Sequence, residues 1–115
     1  MTLLFLLLLQ QQPSYTLPRL SRTYWKVPVD SLAIGHTKHT HVEVAGKVTL
    51  VRHESDGDIH IKIVGVHGFI VAECIPALPC RVPTVGEHLT VRGIARQDLE
   101  HHWYEVHPVE WESPR

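Results

Sequence analysis

His41-Val42-Glu43-Val44-Ala45-Gly46-Lys47-Val48-Thr49-Leu50-Val51 alternates with period two. Val42, Val44, Gly46, Val48 and Leu50 fall on one face, and Glu43, Ala45, Lys47, Thr49 and Val51 on the other. Side chains of a strand point alternately to its two faces, so this run predicts a long half-buried strand. Gly46 in its middle predicts a bulge or a sharp bend.

The rest of the chain answers this strand with shorter ones. Glu54-Ser55-Asp56-Gly57 is a hairpin turn, followed by Ile59, Ile61 and Ile63 alternating with His60, Lys62 and Val64. Residues 65–68 form a second turn and residues 69–74 a third strand. Pro76, Pro79 and Pro83 exclude both a useful helix and a central strand between residues 75 and 83. Leu89, Val91 and Gly93 alternate with Thr90, Arg92 and Ile94 on a fourth strand. Residues 97–102 read as a polar connection to a fifth strand that starts near Trp103. Five short strands, the first long and bent, predict an all-β fold: a small five-stranded Greek-key barrel of the OB type. A Pro-rich link stands where an OB barrel usually has a helix.

Upstream, residues 1–14 form a hydrophobic leader and residues 15–40 an extended arm, leaving 41–112 for the barrel. Leu3-Leu4-Phe5-Leu6-Leu7-Leu8-Leu9 is too short to span a bilayer, which needs about 20 apolar residues. It has the length of a minimal signal segment but no basic residue before it and no small-residue cleavage site after it, so localisation stays open between bacterial cytoplasm and export. In the arm, residues 27–32 allow one short helical turn with Asp30 or Ser31 as N-cap, and Trp25 is expected against the barrel edge.

At 115 residues, with 43% hydrophobic and 20% charged residues, one domain with one core is expected. Residues 1–40 carry Arg19, Arg22, Lys26 and Lys38 against Asp30, a net of +3. Residues 41–115 carry seven basic and eleven acidic residues, a net of −4. The barrel therefore lacks the charge of a non-specific nucleic-acid binder. Cys74 and Cys80 lie six positions apart without a C-x-x-C, which argues against a zinc ribbon and leaves disulfide and free thiols both open.

Two constellations carry chemistry. Asp56, Asp58, His60, Glu73, His101, Glu105 and His107 offer carboxylates and imidazoles on separate strands. Such a group suits a divalent metal, an acid–base pair, or a mutually satisfied structural network. The second constellation sets Trp103, Tyr104 and Trp111 beside Arg92 and Arg96, the aromatic and basic mixture on which OB barrels stack single strands.

His41-Val42-Glu43-Val44-x-Gly46-x-Val48, Asp56-Gly57-Asp58-Ile59-His60-Ile61, residues 70–76 and Glu105-Val106-His107-Pro108-Val109 together resemble a family of small, uncharacterised bacterial OB-fold proteins over about residues 40–112. The resemblance implies a barrel in which the Asp-Gly-Asp-x-His and Glu-x-His-Pro-Val elements belong together, and it implies no reaction. The function expected is a non-enzymatic binding module for single-stranded nucleic acid or another extended polymer, such as an oligosaccharide. The alternatives are a nuclease-like metal-dependent hydrolase built on Asp58, His60, Glu73 and His107, and an assembly protein joined through its N-terminal arm.

Overall fold

The structure, a computed structural model, describes residues 22–115. The leader, Tyr15 and Arg19 lie outside the described residues. In chain order the elements are β1 (Trp25–Lys26), α1 (Val29–Ala33), β2 (His41–His53), β3 (Ile59–Val64), β4 (Phe69–Cys74), β5 (His88–Asp98) and β6 (Trp103–Glu112). The strands run β1-β2-β3-β4-β6-β5, and β5 pairs back onto β2, so β2 to β6 close a five-stranded barrel. Every pairing in the barrel is antiparallel except β4 with β6, which meet in parallel at Val71↔Glu105 and Ala72↔Val106. This is the OB topology that the strand pattern predicts.

β2 serves two neighbours in turn. Residues 41–47 pair with β5, and residues 47–53 pair with β3. The two-residue β1 lies parallel to the first half of β2 through Trp25↔Val42, covering the edge that β3 does not reach. Gly46 stands where the pairing changes over. A Cβ there would lie 2.8 Å from Ile63 Cγ2 and 2.5 Å from the Val64 carbonyl oxygen, so the site admits no side chain. The register slips between Val48 and Leu50, which makes Thr49 the extra residue of a bulge. One inserted residue reverses the faces beyond it. Leu50, expected in the core, is accordingly 49% exposed, and Val51 packs inward instead.

The interior is filled by Val42, Val44 and Val48 from β2, Ile61 and Ile63 from β3, Ile70 and Ala72 from β4, Leu89 and Val91 from β5, and Val106 and Val109 from β6. The arm adds to it. Val29 and Leu32 of α1 are buried in the same cluster. Neither Asp30 nor Ser31 caps α1; Pro28 occupies that position and its carbonyl accepts from Ser31 and Leu32 N–H. Asp30 instead accepts from the backbone N–H groups of His67 (3.1 Å) and Gly68 (2.9 Å) in the β3–β4 turn, which holds its carboxyl below the usual range. The arm is thus pinned to the barrel by an apolar face and a charged hydrogen bond. Trp25 lies at the edge, as expected, stacked on His39 at 4.2 Å.

The link from β4 to β5 contains no helix, and a Cys74–Cys80 disulfide ties it to the end of β4. Arg81 continues the attachment through both oxygens of Glu87 (3.1 and 2.9 Å) and the Ser113 carbonyl. The connection before β6 is shorter than expected, because Gln97 and Asp98 pair with Tyr104 and Trp103 and extend β5. Asp98 then closes the turn by accepting from Glu100 and His101 N–H.

The Arg81–Glu87 pair makes a pH prediction. The Arg81 guanidinium, followed by the Thr84 N–H, pulls the Glu87 carboxyl down to about 2 from an ordinary 4.5. A depressed acid stabilises the fold fully above its unfolded value, and that contribution is lost as pH falls through the folded one. Wild-type stability should therefore decline between pH 4.5 and 2 more steeply than that of Arg81→Met, as measured by urea unfolding across that window.

Candidate functional site

β3, β4, β6 and β5 are consecutive neighbours, and their outward side chains form a row. His60 on β3 is the cross-strand partner of Glu73 on β4, and Glu105 on β6 is the partner of Arg96 on β5. His60 Nε2 lies 2.8 Å from Glu73 Oε1. Arg96 Nε donates to Glu105 Oε1 at 2.5 Å, and Trp103 Nε1 donates to Glu105 Oε2 at 3.0 Å. His107 completes the group, with Nδ1 3.7 Å from Glu105 Oε1 and Nε2 4.0 Å from Asp58 Oδ2.

The two glutamates are buried, although they lie on the outer side of the barrel wall. Glu105 has no exposed surface and Glu73 retains 4%. Loss of water, then the neighbouring Glu105 carboxylate, pushes Glu73 up to about 9. Burial also pushes Glu105 upward, but hydrogen bonds from Glu73, Arg96 and Trp103 outweigh it and hold its carboxyl below the usual range. Glu73 therefore carries the proton and Glu105 the charge at neutral pH. Burial, reinforced by the positive Arg96, pushes His107 down, so its imidazole is neutral, with a lone pair on one ring nitrogen and a proton on the other.

All seven members of the acid and histidine constellation gather in this region. A cleft of about 320 Å³ is lined by Glu54, Ser55, Asp56, Asp58, His60, Glu73, Arg96, His101 and His107, and Glu105 lies directly behind it. Asp56 plays a turn role, its Oδ1 accepting from Asp58 N–H at 2.9 Å. His101 pairs with Asp98 at 2.7 Å, which raises its pKa, and its ring stacks on Trp103 at 4.4 Å.

The aromatic and basic constellation divides. Trp103 and Arg96 border the cleft. Arg92 instead pairs with Glu43 at 2.9 Å and lies over the Trp111 ring at 4.5 Å, farther along β5. Tyr104 packs on the core and against Gly35, where α1 ends. The arm's Arg22 is engaged by Glu110 at 3.0 Å.

Beside the cleft lies a second, shallower groove of about 130 Å³, lined by Leu50, Arg52, His60, Lys62, Phe69, Val71 and Trp103. Four of these, Leu50, Arg52, Lys62 and Phe69, carry no motif and escaped the sequence reading. Leu50 reaches the groove through the Thr49 bulge, and Lys62 lies 4.2 Å over the Phe69 ring. The groove occupies the outer wall of the second and third barrel strands. The 54–58 turn and the 99–102 turn, which precede the second and fifth barrel strands, supply neighbouring side chains.

A closed five-stranded barrel with this order and this parallel closure defines an OB-fold protein. No protein-family model and no curated protein matches the chain. Among solved structures it is similar to a putative aspartyl-tRNA synthetase from Leishmania major Friedlin, at 15% identity and a TM-score of 0.55 over 80% of this chain. The chain corresponds to 21% of that protein's length. It is also similar to the yeast Stn1 and Ten1 structure, at 14% identity and a TM-score of 0.53, covering 89% of this chain and 70% of the other. At these identities the likeness is one of fold. Among the described residues no helix is long and apolar enough to cross a membrane.

Proposed function

We propose that the protein is a non-enzymatic OB-fold module that binds single-stranded nucleic acid across the outer wall of β3 and β4. The observation that carries this reading is the groove that gathers Trp103 and Phe69 with Lys62 and Arg52 on that wall. OB barrels bind oligonucleotides and oligosaccharides on this wall and the loops beside it. Aromatic rings there give bases a stacking platform, and cations meet the phosphates. His101, stacked on Trp103, extends the aromatic surface toward the 99–102 turn. The barrel's net negative charge favours a short footprint held by stacking over a long electrostatic track.

Titration with an oligothymidylate should change tryptophan fluorescence. Three cations, Arg52, Lys62 and Arg96, border the face. If all three meet phosphates, log K should fall with log salt at a slope of about −2. Lys62→Glu should weaken binding and make that slope shallower. A response to oligosaccharide with none to oligonucleotide, or an affinity indifferent to salt, overturns the reading.

A further inference from the structure

We infer that Glu73, Glu105 and His107 form a binding site for one divalent cation of the zinc class, opening onto the cleft beside the nucleic-acid face. This goes beyond the proposed function and stands whether or not that face binds nucleic acid. One observation is geometric. These three side chains each bring a donor atom within 4.8 Å of the other two. Zinc–nitrogen and zinc–oxygen bonds of about 2.1 Å set ligand atoms about 3.4 Å apart, so small side-chain shifts suffice.

A second observation is independent of the first. Among the described residues, His107 Nδ1 is buried without a hydrogen-bond partner, and beyond its contact with His60 the buried Glu73 carboxyl meets Glu105, with which it shares a proton. Glu73 itself is 4% exposed. Buried polar atoms are nearly always satisfied, so a bare imidazole nitrogen beside two buried carboxyls marks a missing partner. The free Nδ1 of His107, 3.7 Å from Glu105 Oε1, and a carboxyl pair held together by one proton form an arrangement in which a cation can take that proton's place.

The surroundings suit a metal as well. His60 Nε2 contacts Glu73 Oε1 at 2.8 Å, Trp103 holds Glu105 Oε2, and Asp58 faces the far nitrogen of His107. Outer partners of this kind fix the orientation of ligating imidazoles and carboxylates. With all three acids ionised, Asp58, Glu73 and Glu105 against Arg96 leave two negative charges, which a divalent ion neutralises. One imidazole among two carboxylates favours Zn²⁺ over Ca²⁺, which takes six to eight oxygens.

The test uses the full chain stripped by chelator and titrated with Zn²⁺ in a calorimeter. One equivalent should bind, with a rise in Tm, and Ca²⁺ at equal concentration should not displace it. Glu73→Gln and His107→Ala should each weaken binding at least about ten-fold. His88→Ala, at an exposed histidine at the opposite end of β5 from Arg96, should leave it unchanged. A Trp25→Phe/Trp111→Phe chain reports on Trp103 alone, and Co²⁺ should quench it, because that indole touches Glu105. Circular dichroism melts establish that each variant is folded. Absence of uptake, uptake that survives both ligand substitutions, Ca²⁺ taken in place of Zn²⁺, or an unquenched Trp103 would each overturn the site.

Discussion

Glu105→Ala, measured in chelator, is expected to lower the unfolding free energy by about 3–5 kcal/mol. Glu105 is a fully buried carboxylate that receives Arg96 Nε, Trp103 Nε1 and the Glu73 carboxyl proton. Alanine strips the partner from all three and leaves a hole in the wall between β4 and β5. A pair of charges taken out of water contributes little as a pair, but removing one member strands the other. Arg96 is half exposed and can turn to solvent, so the stranded groups that matter are the Trp103 indole and the Glu73 carboxyl. Glu105→Gln keeps the volume and an acceptor for Trp103, and should cost about half as much. Urea unfolding checks both: the midpoint should fall in that order at constant slope, whereas a loss under about 1 kcal/mol for alanine would show that the network does not act as a unit.

The barrel was legible because its signals are local. Alternation in residues 41–48, the Asp56-Gly57 turn and the isoleucine ladder on β3 each specify their own segment, and the structure follows them. What was illegible depends on pairing between distant segments. The Thr49 bulge is visible only in the register of β2 against β3, and it moved Leu50 from the expected core to the groove. Lys62 and Phe69 look like the ordinary outward residues of two strands. They join Trp103 in one groove because β6 inserts between β4 and β5, and the order in which strands close leaves no trace in any one of them. The acid and histidine cluster was half legible. Residue types and alternation picked its members, but the proton shared by Glu73 and Glu105 follows from burial. Arg92 and Arg96 were grouped because they are basic residues of one strand. Four residues of strand separate them by about 13 Å, enough to give each its own surroundings. Cys74 and Cys80 could be bridged or free on spacing alone, and the turn of the Pro-rich link brings them together.

Trp103→Ala is expected to weaken single-strand binding by about 10- to 100-fold, the equivalent of about 1–3 kcal/mol for one lost base stack. Trp103 also supports the site, through its indole N–H on Glu105 and its stack on His101, so a loss on alanine alone would not separate recognition from scaffolding. Trp103→Phe separates them. Phenylalanine keeps a ring for the base and for His101 but cannot donate to Glu105. Stability should then fall by about 1 kcal/mol while most of the affinity survives. Anisotropy of a labelled oligonucleotide gives the affinities, since the tryptophan on the binding face is gone while Trp25 and Trp111 still fluoresce. The salt slope should match wild type in Trp103→Ala, because no phosphate contact is removed, and should flatten only in Lys62→Glu. Equal losses in Trp103→Phe and Trp103→Ala would assign Trp103 to the support of Glu105 and leave the base without its platform; a slope that changes with Trp103 would place the backbone, not a base, against the indole.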